Sequence, residues 1–213
     1  MKKNVKTLFA GILMCVLFLS SLTGVYANSE TTNEEAYLKN YQSTLQVMKQ
    51  AMTQAPRTGD PTLNFLYEMI PHHEAGLSIA ENELDFGSNP EVKEIASNIV
   101  KNQAPQIKAM SELLEKLKKN PKVNKAKEAE YLKTQQQIYN QMIARMDAVQ
   151  SVVNVDKAFL EGMIPHHEAA IQMGNNILKY TKNKEVKDIV QQMITVQQAE
   201  LEKMKKLLQS MPS

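Results

Sequence analysis

Cysteine is nearly missing from this chain: the single one, Cys15, stands inside an apolar N-terminal stretch. Past that stretch no disulfide can form and no thiolate is offered, which excludes zinc ribbons and thiol redox chemistry. Cys-x-x-Cys-His, the attachment site for c-type haem, is absent as well. Glycine is scarce, at 7 of 213 residues, and no glycine-rich phosphate loop is visible. Charge of one sign is lacking too. The formal net charge is +2, and removal of the leader described next, with Lys2, Lys3 and Lys6, leaves −1. A near-neutral surface argues against nucleic acid as a partner. No segment alternates apolar and polar residues with period two, so no sheet is expected. Histidine is confined to four positions, and these carry most of the functional signal.

The N-terminus reads as a processing segment. Lys2, Lys3 and Lys6 precede an apolar run from Leu8 to Leu22, and Val25-Tyr26-Ala27 offers small residues at −3 and −1. This predicts a signal peptide over 1–27, cleaved after Ala27, and a secreted or envelope-retained protein. The run falls short of the about 20 apolar residues of a comfortable span, so a membrane role is expected only through an uncleaved leader. Leu13-Met14 before Cys15 fits a lipid-attachment site poorly. The remaining 186 residues suffice for one compact domain.

Met69-Ile70-Pro71-His72-His73-Glu74-Ala75 recurs letter for letter as Met163-Ile164-Pro165-His166-His167-Glu168-Ala169. Shifted by 94 positions, 69–116 lies over 163–210 without a gap and with 18 identities. Tyr37-Leu38-Lys39 likewise falls on Tyr131-Leu132-Lys133, and Met48 and Met52 fall on Met142 and Met146. The expectation is a tandem duplication of a three-helix unit, about 33–119 and 126–210, within a single helical domain 28–213. Two copies are too few for a stacked solenoid. The helices are predicted near 33–54, 61–86 and 90–119, then 126–149, 155–181 and 184–210. Asp60-Pro61 and Asn89-Pro90 are start signals, a cap followed by proline, and Asp156 is read as a similar signal in the second copy. Two antiparallel hairpins should close an all-α four-helix bundle, with the first helix of each unit packed across or extending it.

Pro71 and Pro165 either kink the second helices where the histidines begin or start those helices outright. On a helix, Met69, His72, Gly76 and Ile79 share one stripe, as do Met163, His166, Ala170 and Met173. His73 and His167 fall on the adjacent stripe. Both stripes are apolar, so all four rings should turn towards the core, and Gly76 and Ala170 leave room for a ring or an ion. Eleven methionines follow the leader, and eight form matched pairs across the offset: Met48/Met142, Met52/Met146, Met69/Met163 and Met110/Met204. Methionine used only as filler exchanges freely with Leu or Ile. Its retention beside imidazoles points to a metal site for soft or borderline ions, copper(I) or silver(I) above all. Core packing is the plainer account of the pairs on the first and third helices. Glu74 and Glu168 are candidates to orient a ring nitrogen.

Competing chemistry fits less well. A di-iron centre needs Glu-x-x-His, but Glu68 precedes His72 by four and Glu161 precedes His166 by five. His73-Glu74-Ala75-Gly76-Leu77 stops short of the zinc-protease motif, and no catalytic residue is expected. A metal-dependent oxidase or hydrolase, and a metal-free helical module whose histidines merely pack or respond to pH, stay open as alternatives.

The doubled Met-Ile-Pro-His-His, the Gln-to-Met spacing of Gln103 to Met110 and Gln197 to Met204, and the leader resemble the secreted bacterial family known as domain of unknown function 305. That resemblance implies a ferritin-like bundle, an extracytoplasmic location and, from some relatives, copper binding connected with copper tolerance. It carries His72, His73, His166, His167, Met69, Met163, Met110 and Met204 as site positions. Relatives often place a methionine six residues after the second histidine, which Met173 matches and Ile79 does not. The expected role is to sequester copper or transfer it to or from a donor or acceptor protein.

Overall fold

The computed structural model describes residues 32–211, so the leader expected over 1–27 and its cleavage point lie outside the described residues. The described chain is all-α, with six helices and, among the described residues, no strand. They are α1 (Asn33–Thr53), α2 (Pro61–Phe86), α3 (Pro90–Leu117), α4 (Lys125–Met146), α5 (Val155–Ile177) and α6 (Lys184–Ser210). No described helix is long and apolar enough to cross a membrane.

Each helix begins where a short polar side chain can take up a free backbone N–H. Thr32 and Glu35 form a capping box on α1, and Asp60 accepts from Thr62 N–H at 2.9 Å. Asn89, Asn124, Asn154 and Asn183 cap α3 to α6 in the same way. Such caps are worth about 1 kcal/mol each. Asp156, read from sequence as a cap of the fifth helix, does something else. Asn154 holds that position, while Asp156 accepts from Ser88 N–H and O–H and Asn89 N–H at 2.7–3.0 Å, tying the start of α5 to the start of α3. Three helices end two or more residues earlier than their periodicity predicts. α3 stops at Leu117, α4 at Met146 and α5 at Ile177, all three passing into tight turns.

α2, α3, α6 and α5 form a ring of four, each antiparallel to its neighbours. Thr62 Oγ1 at the start of α2 lies 3.1 Å from Thr181 Oγ1 just past α5, and Ser88 past α2 meets Asp156 at the start of α5. Lys116 near the end of α3 pairs with Glu185 at the start of α6 at 2.6 Å. α1 packs on the outside of α2 and α4 on the outside of α5. Asn82 Nδ2 donates to the Tyr37 carbonyl at 2.9 Å, and 94 positions on, Asn176 Nδ2 donates to the Tyr131 carbonyl at 3.1 Å. The core runs through the ring and under the two outer helices. Phe65, Phe159, Tyr37 and Tyr131 are fully buried in it, each contributing roughly 2–3 kcal/mol of apolar burial.

Candidate metal centre between the second and fifth helices

Pro71 and Pro165 lie inside continuous helices that begin ten residues earlier, so they are not helix starts. Lacking an N–H, each leaves the carbonyl four residues back, at Tyr67 and Glu161, without its helical donor. The next two side chains in each helix are the histidines. All four rings are fully buried, as the two apolar stripes require. α2 and α5 bring them together at the middle of the ring. His72 and His166 stack with centroids 3.8 Å apart and planes 28° from parallel. His73 lies 6.0 Å from His72, and His167 lies 5.8 Å from His166, each pair tilted by 50°.

Three ring nitrogens have partners. His166 Nε2–H donates to the His72 carbonyl at 2.9 Å, linking α5 to α2. His167 Nε2 lies 2.9 Å from Glu200 Oε2 and His73 Nε2 lies 3.0 Å from Gln106 Oε1, which reaches each outer ring to the third helix of its own half. Glu200 is in turn held by Asn102 Nδ2 at 2.8 Å. Five ring nitrogens make no well-formed hydrogen bond: both of His72 and the Nδ1 atoms of His73, His166 and His167. The His166 and Met69 carbonyls nonetheless come near enough to His72 and His73 to raise their pKa against the larger effect of burial. The side-chain amides of Gln103 and Gln197, buried in the same core, are unpartnered as well. Gln103 and the His166 ring both crowd Gly76, where a Cβ would sit 2.5 Å from Gln103 Oε1 and 2.6 Å from His166 Cε1.

Burial, and repulsion between the rings, disfavour the charged form of His72, His73 and His166. Burial first, and then the charge that His166, His73 and His167 would carry, hold His72 well below the ordinary imidazole range. His166 is depressed in the same sense by burial and by His167. Burial lowers His73 to about 4, although its bond to Gln106 pulls the other way. Neutral imidazoles with free lone pairs are the form a metal ion needs.

The methionines named from sequence are all in the interior. Met69, Met163, Met110, Met204, Met173 and Met146 are fully buried, and Met48, Met52 and Met142 nearly so. Met69, Met163 and Met173 share helices with the rings, and Met110 and Met204 stand on α3 and α6 within the ring of four. Met48, Met52, Met142 and Met146 stand on the outer helices α1 and α4. Among the described residues no three His, Asp, Glu or Cys side chains gather as a metal-holding group. The donor set fits a soft ion all the same: buried imidazole nitrogens in an interior rich in thioethers suit copper(I) or silver(I) better than a hard cation.

The two glutamates singled out from sequence to orient the rings do not do so. Glu74 is exposed, and Glu168 is taken by Arg145 and Lys205. Burial raises the Glu168 carboxyl, but Lys205 and Arg145 outweigh it and hold the pKa low. The ring partners are Gln106 and Glu200, which sequence reasoning missed. A signal existed, because each lies 33 residues after the second histidine of its motif. Matching the halves by identity passes over a position that is Gln in one and Glu in the other. Glu68, whose spacing from His72 does not fit a di-iron motif, is occupied by Arg57 at 2.8 Å and by the Tyr131 hydroxyl at 3.2 Å.

The family described as "Domain of unknown function (DUF305)" matches residues 62–208, which contain both histidine pairs. Among solved structures, CopM in its Cu(II)-bound form is 30% identical, with a TM-score of 0.56 over 70% of this chain and 95% of that one. CopM has also been solved with Cu(I) and with Ag bound. A DUF305 fragment from Deinococcus radiodurans shares the fold at 22% identity and a TM-score of 0.54, over 71% of this chain and 97% of the fragment. The uncharacterized protein L153 of Acanthamoeba polyphaga mimivirus is 42% identical over 53 residues, 25% of this chain. The match spans about a third (35%) of that protein's length.

Proposed function

We propose that this chain, which belongs to the family of the domain of unknown function 305, binds copper(I) or silver(I) outside the cytoplasm and sequesters or transfers it. One observation carries the reading: five imidazole nitrogens at the centre of the bundle are buried without a well-formed hydrogen bond. An unsatisfied buried polar atom costs about 1–3 kcal/mol, so a cluster of them is expensive unless something binds there. A soft cation meets that need. His72, His73, His166 and His167 would supply nitrogen. Met69, Met163, Met110, Met204 and Met173 stand on the same ring of four helices and would supply sulfur. Met48, Met52, Met142 and Met146 would line the approach from the outer helices. The ion is cargo in this scheme, so the protein's part is to hold it in a dry pocket away from water and oxidants. CopM, bound to Cu(I), Cu(II) and Ag in its structures, supports the choice of metal. The leader expected over 1–27 supports the location.

Titration with copper(I) against a chromophoric competitor tests the proposal. One or two ions should bind per chain, and replacing His166 and His167 together by alanine should abolish at least one. Unchanged stoichiometry in the double variant removes the histidines from the site. No uptake by the parent protein leaves them as packing residues.

A further inference from the structure

The histidine pairs stand 94 residues apart in sequence, yet their hydrogen bonds differ, and the difference decides which nitrogens are free. In the second pair both outer nitrogens face atoms that can only accept. His166 Nε2 meets the His72 carbonyl and His167 Nε2 meets the Glu200 carboxylate, each at 2.9 Å. A carbonyl oxygen and an ionised carboxylate only accept, so in a neutral ring each Nε2 bears the hydrogen and each Nδ1 keeps its lone pair. Both of those Nδ1 atoms are buried and unpartnered.

The first pair is not fixed in this way. Neither nitrogen of His72 makes a well-formed hydrogen bond, so the His166 carbonyl, which the 94-residue offset sets beside this ring and which raises its pKa slightly, does not fix its tautomer. His73 Nε2 faces Gln106, whose amide can present either its oxygen or its NH2. Charge separates the pairs further. Glu200 is 7% exposed, and its second oxygen is held by Asn102 at 2.8 Å. The equivalent residue in the first half, Gln106, is neutral. A carboxylate behind an imidazole N–H fixes the ring and strengthens it as a donor once a cation binds the opposite nitrogen.

We propose that His166 and His167, acting through their Nδ1 atoms, form the first-filled and tighter metal position, and that Glu200, steadied by Asn102, is the positioning residue that makes it so. This rests on the reading that the histidines bind a soft ion, and it specifies which half does so first and why.

Silver(I) titrated into the 15N-labelled protein, followed by long-range proton–nitrogen NMR of the four imidazoles, tests both parts. Before metal is added, His166 and His167 should each show the proton on Nε2. The first equivalent of silver should move the Nδ1 resonances of His166 and His167, with His72 and His73 responding only to later additions. Glu200→Gln should free the His167 tautomer and weaken the first binding step about tenfold or more. Gln106→Glu, at a half-buried position that accepts a carboxylate readily, should tighten binding at His73 and narrow the gap between the pairs. It carries the test should Glu200→Gln fail to fold. A proton on His167 Nδ1, filling of the first pair first, or simultaneous response of all four rings overturns the proposal while metal binding stands. So does an unchanged first step in Glu200→Gln, or an unaltered gap in Gln106→Glu. Rings that never respond to silver, with the metal-free tautomers as stated, overturn the metal reading and this inference with it.

Discussion

Gly76 shows how little slack surrounds the paired rings. A Cβ there would stand 2.5 Å from Gln103 Oε1 and 2.6 Å from His166 Cε1, both inside any tolerable contact. The amide end of Gln103 can swing away, but His166 is stacked on His72 and bonded to its carbonyl. Gly76→Ala gains about 1 kcal/mol of helix propensity. It loses about 1–3 kcal/mol to overpacking. We expect a net loss of about 1 kcal/mol, read as a lower urea midpoint at unchanged slope. A higher midpoint would mean that the ring can slide at no cost. Sequence reasoning identified Gly76 as room for a ring or an ion, and the occupant is the His166 ring from the other half together with Gln103. That neighbour belongs to the rotation of α5 against α2, which no spacing within either helix encodes. The inward turn of the four rings was legible for the opposite reason, since it follows from the apolar stripes of a single helix.

At the scale of elements, the outer helices are fastened by one buried amide each. Asn82 and Asn176 stand at equivalent places on α2 and α5 and bond backbone carbonyls of α1 and α4. Removing the side chain leaves a buried carbonyl with one partner fewer, and an exchange of that kind costs about 1–2 kcal/mol. Asn82→Ala and Asn176→Ala should each lower stability by that amount. Hydrogen exchange should quicken selectively in α1 for the first variant and in α4 for the second. A uniform change along the chain would show that the amides do not act as local fasteners. The helix starts were readable to within one residue, because caps such as Asp60 and Asn89 with the following proline are local chemistry. Ends were harder. α5 stops at Ile177 and not near Thr181 because the turn that follows lets the Thr181 hydroxyl reach Thr62 on α2, a contact outside the helix's own pattern. Asp156 misled for the same reason: its carboxylate serves α3 across the bundle.

For the molecule as a whole, the 94-residue offset made two antiparallel hairpins legible, whereas the interior electrostatics depend on how closely they meet. The ring of four helices encloses groups that resist ionisation, and this sets the pH dependence of the metal-free protein. Burial holds His72 and His166 well below 6.5 and His73 near 4. The unfolded chain takes up these protons below about pH 6.5 and the folded chain does not, so stability falls as pH drops through that window. Each histidine contributes at most about 1.4 kcal/mol per pH unit. Glu83 acts with the opposite sign. It is fully buried at the end of α2, and burial and then its neighbour Asp156 push its carboxyl from 4.5 up to about 9. The folded state keeps that proton between about pH 4.5 and 9 while the unfolded chain loses it, so stability declines as pH rises through the range. Burial raises the Glu68 carboxyl in the same sense. Below pH 6.5 three imidazoles outweigh these two carboxyls; above it Glu83, with the larger shift, dominates. Urea midpoints measured without metal should therefore peak near pH 6.5, dropping steeply on the acid side and gently on the basic side. Glu83→Gln should remove the basic decline and leave the acid limb in place. A profile level from pH 5 to 7 would show that the central rings take up protons within the fold, and would contradict the dry, neutral cluster on which metal binding depends.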